Sequence, residues 1–141
     1  MSFIKWSADY ETGHPDIDRD HQGIFALIND LNDKVREGVS EGSITVTIEA
    51  LIDYVNIHFE REETLMEACG YEELHAHKAV HRQLSDRVMF YKDSYDRGPE
   101  VFDMEDFMLF LGGWLTNHIV VADMDYVPVV RGTVNEAREK L

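Results

Sequence analysis

Apolar residues recur along most of this chain at gaps that alternate between three and four, the spacing that builds one face of an α-helix. In the first such stretch, about Asp18 to Gly38, Ile17, His21, Ile24, Ile28, Leu31 and Val35 fall in register, and Gly38 supplies a stop. The second, about Ile44 to Ala68, carries Ile48, Leu51, Val55, His58, Glu62 and Leu65 and ends before Gly70. Ser43 to Ile48 is rich in β-branched residues, but helical spacing runs straight through it. The third, about Glu72 to Ser94, carries Leu74, His77, His81, Leu84, Val88 and Tyr91, and Arg97-Gly98-Pro99 breaks it. The fourth, about Met104 to Val121, carries Phe107, Phe110 or Leu111, Trp114 and His118.

Long helices with short connections predict an all-α fold, an up-down-up-down antiparallel four-helix bundle. The expected organisation is one domain over 1–141, with an N-terminal arm (1–16), a bundle (about 17–123) and a short C-terminal extension (124–141). Trp6 and Tyr10 mark the arm as a segment lying across the bundle, and Pro15 and Pro99 are expected in loops. Val134 to Leu141 is a candidate fifth helix, and the apolar run from Met124 to Val130 suggests packing or an interface.

A chain of 141 residues suffices for one real core. Its formal charge of −15 argues against binding nucleic acid or an anionic membrane through general electrostatics. No apolar run approaches a membrane span, and the N-terminus lacks a basic region followed by an apolar one. Cys69 is the only cysteine, so no intramolecular disulfide can form, which fits a cytoplasmic protein.

The candidate chemistry lies in what interrupts the apolar stripes. His21, His58, His77, His81 and His118 all occupy core-facing positions, as does Glu62. One buried histidine is usually just hydrogen-bonded; six polar residues spread over four helices would cost several kcal/mol each, in rough terms, without partners. His21 lies near the start of helix one, His58 and Glu62 near the end of helix two, His77 and His81 near the start of helix three, and His118 near the end of helix four. In an up-down-up-down bundle these are all the same end, within a layer on the order of 10 Å thick. His58–Glu62 and His77–His81 are i,i+4 pairs on single helix faces. Asp123 follows His118 by five residues, which suits a carboxylate reaching in from a helix end; Asp125 competes for that place. Imidazoles and carboxylates suit a borderline divalent metal, and so many donors suit two ions bridged by carboxylates. No thiolate favours a closed structural zinc site. Spacing does not separate iron from manganese or zinc.

A rival di-metal pattern, Glu-x-x-His on two helices, matches Glu11–His14 and Glu72–His75. The first lies beside Gly13 and Pro15, outside the helices, and in the second His75 is off the stripe, so both are set aside. Phe25, Phe59, Trp114 and Leu115 are expected to line a ligand pocket over the metals while also serving as bundle core. Glu60, Arg61 and Glu63 read as a solvated face.

Taken in order, the segments IDRDH ending at His21, HFEREETLM from His58, HAHKAVH ending at His81 and WLTNHIVVAD from Trp114 to Asp123 resemble the hemerythrins, specifically the bacterial hemerythrin-like domains. The match runs from about Trp6 to Tyr126 and fills all seven ligand positions of that family. The resemblance implies two iron ions: one held by His77, His81 and His118, the other by His21 and His58 with an open position. Glu62 and Asp123 would bridge them along with an oxo or hydroxo group, and the resemblance is what selects Asp123 over Asp125. It implies dioxygen as the ligand, bound end-on at the open iron, with apolar walls slowing autoxidation. His14 departs from the family, standing where relatives commonly have an apolar residue.

The resemblance points to reversible dioxygen binding for carriage, storage or sensing rather than to an enzyme. An alternative is a redox or oxygen sensory module of a larger signalling protein, with a fused domain or signalling partner reading changes in the arm or tail. A di-iron enzyme acting on peroxide or nitric oxide ranks lower, because all-histidine terminal ligation favours reversible binding and no separate acid–base pair is identifiable.

Overall fold

The computed structural model describes residues 3–119 and Pro128. Four helices account for most of them: α1 Pro15–Glu37, α2 Glu41–Ala68, α3 Leu74–Arg97 and α4 Met104–His118. A single 3-10 turn, Ala8–Tyr10, interrupts the arm that precedes α1. α1 packs against α2 and α4, and α2 against α3. Tyr91 of α3 closes the ring by meeting Phe107 and Phe110 of α4, with ring centroids 5.1 Å apart in both cases. The result is the expected four-helix bundle.

The helix ends follow local chemistry. α1 begins three residues earlier than the spacing suggests, and Pro15 is its first residue rather than part of a loop. A proline is well placed there, because its missing N–H is one the first turn cannot pair anyway. His14 is the N-cap: its Nδ1 accepts from the Ile17 N–H at 3.4 Å. Asp18 reinforces the turn by accepting from Thr12 N and Oγ1 and from Gly13 N. Gly38 ends the helix in the left-handed region at φ 69°, its N–H reaching the Lys34 and Val35 carbonyls. Ser40 caps α2 and Asp103 caps α4, each accepting from the backbone N–H three residues on. The β-branched stretch from Ser43 to Ile48 is helical, because its Thr47 and Ile48 are buried on the shared face. α3 starts at Leu74, two residues later than expected, and continues to Arg97 before Gly98-Pro99.

The core is one apolar cluster in which Ile24, Ile28, Leu31, Ile48, Leu51, Phe107, Leu111 and Leu115 are fully or almost fully buried. The arm is tied across it. Ile4 exchanges two backbone hydrogen bonds with the Asn29 side chain, at 2.9 and 2.8 Å. Phe3 and Ile4 lie close over Gly112, and Trp6 and Tyr10 each place a ring 5.3 Å from that of Phe25. The expected fifth helix and the end of α4 toward Val121 lie outside the described residues. No described helix is long and apolar enough to cross a membrane.

Candidate metal centre

The stripe histidines converge at one end of the bundle. His21 comes from α1, His58 and Glu62 from α2, His77 and His81 from α3, and His118 from α4. Such a meeting requires each helix to run against its neighbour in sequence. All six are buried, with exposures from 0 to 6%. They form two groups whose candidate ligand atoms lie within 4.8 Å of one another: His21, His58 and Glu62 in one, Glu62, His77, His81 and His118 in the other. Glu62 belongs to both, and is fully buried. Its Oε1 lies 2.8 Å from His58 Nε2 and 3.6 Å from His81 Nε2. Ring spacings repeat the division, with His21 and His58 4.7 Å apart and His77 and His81 4.4 Å apart.

Asp123 and Asp125 lie outside the described residues. His75 and Glu72 are exposed, and His14 is occupied as the cap of α1. Of the four expected pocket residues, Phe59 and Trp114 touch the histidines. Phe59 stacks on His81 at 3.9 Å and 7° and meets Trp114 and His118 edge-on. Trp114 stacks on His118 at 6.3 Å. Phe25 faces the arm through Trp6 and Tyr10, and Leu115 sits in the common core.

Two carboxylates, Asp20 and Glu63, reach the histidines and Arg61 reaches Asp20, roles that sequence reasoning missed. Asp20 is buried, and its Oδ2 lies 2.9 Å from His58 Nδ1. Its other oxygen accepts from Arg61 Nη1 at 2.6 Å. Burial pushes the Asp20 carboxyl up, but the His58 hydrogen bond and the charges of His58, Arg61 and His21 outweigh it and hold the group below its ordinary value. Glu63 Oε2 lies 3.3 Å from His81 Nδ1. Burial raises the Glu63 carboxyl, against the pull of Lys78 and other nearby positive charge. Arg61 and Glu63 therefore do not belong to a purely solvated face. The overlooked signal was periodicity itself: Asp20 is three residues after Ile17 and four before Ile24, squarely on the α1 stripe.

A surface pocket of about 470 Å³ opens between α2 and α3 beside this cluster, with Phe59 and His81 in its inner wall and Glu60, Glu63, Lys78 and Arg82 around it.

Imidazoles and a shared carboxylate, sealed at one end of four antiparallel helices, define a metal-binding helical bundle. Residues 12–130 match the hemerythrin HHE cation binding domain. Over 136 residues the chain is 38% identical to a bacteriohemerythrin of Pseudomonas aeruginosa, covering 96% of this chain and 87% of that protein. It is 35% identical over 129 residues to a bacteriohemerythrin of Methylococcus capsulatus, covering 91% and 97% respectively. The crystal structure of a wild-type hemerythrin superposes with a TM-score of 0.83 at 33% identity, covering 92% of this chain and 98% of that one. The chain belongs to the hemerythrin family.

Proposed function

We propose that this protein binds dioxygen reversibly at a non-haem di-iron centre, for oxygen carriage, storage or sensing. His77, His81 and His118 would hold one iron and His21 and His58 the other, with Glu62 and Asp123 as the carboxylates shared between them. The observation that carries this reading is the double membership of Glu62: a single buried carboxylate belongs to a three-donor group and to a four-donor group at once. The donor chemistry fits iron, with neutral nitrogens and hard oxygens and no cysteine in either group.

When bound, the metal pair supplies the electrons and the vacant coordination that dioxygen needs. The polypeptide supplies the rest. The i,i+4 pairs fix the spacing of donors along α2 and α3. Phe59 stacks directly on the ring of His81, which limits its rotation, and Trp114 lies beside His118 in the apolar shell. Membership of a family of oxygen-binding proteins rather than enzymes supports the same reading. The single cysteine supports a role in the cytoplasm.

The test combines elemental analysis of iron-loaded protein with dioxygen uptake. Two irons per chain and one dioxygen taken up and released on evacuation are expected. A single iron, or uptake without release, contradicts the reading.

A further inference from the structure

His58 and His81 both place Nδ1 against a carboxylate, and they are held very differently. His58 and Asp20 are sealed, their side chains 2% and 9% exposed, and Arg61 grips the far oxygen of Asp20. His81 meets Glu63 at the longer 3.3 Å, and the Glu63 side chain is 26% exposed at the wall of the surface pocket. Among the described residues, the tight arrangement serves the subsite with three donors against four.

We propose that Asp20, braced by Arg61, is the positioning residue of the three-donor subsite, fixing the ring of His58 so that its Nε2 is presented as a metal ligand. This inference rests on the two-metal reading above. A neutral imidazole carries one N–H and one lone pair, and a metal takes the lone pair. A carboxylate against Nδ1 keeps the proton there, leaves the lone pair on Nε2 and raises its basicity. It also stops the ring from turning about its bond to Cβ. Asp20 can do this only as a carboxylate, and a buried carboxylate needs a compensating charge. Arg61 provides it from the surface, its side chain 42% exposed. A subsite with few donors depends most on the aim of each, so removing the brace loosens that metal and leaves the other in place.

Asp20 also ties α1 to α2, and a purely structural role would lower the stability of the metal-free protein without changing the ratio of the two metal affinities. Anaerobic titration of the metal-free chain with Co²⁺, followed by its visible ligand-field bands, separates the two. The unmodified chain should take up two equivalents; uptake of one or none defeats the two-metal reading itself, whatever Asp20 does. Given two steps, Asp20→Asn should weaken one of them by about 10- to 100-fold and spare the other. Arg61→Gln should weaken the same step by less, and it keeps the test decisive if Asp20→Asn does not fold, because Arg61 reaches Asp20 from the surface. Glu63→Gln should spare that step. In Zn²⁺-loaded protein, the slowly exchanging His58 Nδ1–H resonance should shift or vanish in Asp20→Asn. Equal weakening of both steps, no weakening, or the same step weakened by Glu63→Gln would overturn the proposal.

Discussion

Phe59 shares the inner wall of the surface pocket with His81 and stacks on it, and Phe59→Ala tests whether the ring shields the histidines behind. The ring is 4% exposed, so truncation forfeits nearly the whole transfer free energy of a phenyl group and leaves a void. Core Phe→Ala changes cost about 3–5 kcal/mol. The ring contacts with His81, Trp114 and His118 add to the loss, because aromatic pairs are worth about 0.5–1.5 kcal/mol beyond burial. The adjoining pocket works the other way: water can fill the void from the α2–α3 surface, which softens the cavity penalty. These opposing effects place the loss near the lower bound, about 3 kcal/mol. Urea unfolding at unchanged m-value reads it directly. The functional consequence is separate, since His81 already borders the groove and loss of the ring opens a wider path from it to the buried histidines behind. Iron release to an external chelator should accelerate by about tenfold or more, because the apolar shell of a metal site controls access to it. A stability loss below about 1 kcal/mol, or chelator release at the unmodified rate, would refute the claim that Phe59 shields the histidines behind.

Gly23 lies where the Tyr54 side chain crosses α1: a Cβ there would stand 2.1 Å from Tyr54 Oη and 2.5 Å from Cζ. Gly23→Ala gains about 1 kcal/mol of helix propensity but must displace the Tyr54 ring, so it should melt lower than the parent, and Tyr54→Ala should restore the gain. His14 is a weak cap at 3.4 Å, and His14→Ser should stabilise by about 0.5–1 kcal/mol in thermal melts; a lower melting point would show that the imidazole does more than cap. The Asp96 hydrogen bond raises the ammonium of buried Lys92, against the opposing effect of burial and with help from the charges of Asp96 and Glu49. A raised folded value means this stabilisation is complete below the unfolded value and is lost as pH rises through the folded one. Asp96 is 48% exposed, so Asp96→Asn should cost no more than about 1 kcal/mol near neutrality and flatten the alkaline fall in stability, both measurable by urea unfolding across pH.

The bundle and the meeting of six of the seven expected ligand residues could be read from periodicity, because a helical stripe reports where a Cβ points. His21, His58, Glu62, His77, His81 and His118 meet where the spacing and the alternating helix directions require. Asp123 lies outside the described residues, so its bridging role stands as a proposal. Periodicity is less informative for long side chains: Arg61 and Glu63 start on the outer face of α2 and bend inward to Asp20 and His81. Asp20 was legible by spacing, yet a carboxylate beside a charged neighbour reads as surface until its partner on another helix is known. Pro15 misled for a different reason, since the same residue suits a loop and the first turn of a helix, and only the His14 cap decides between them.

Reversible binding at paired irons is the central claim, and visible absorption of iron-loaded protein tests it most directly: first anaerobic, then in air, then after evacuation. A nearly colourless protein that turns red-violet in air and bleaches again under vacuum is expected. Direct, irreversible conversion to a stable yellow form, or no change on exposure to air, would contradict it.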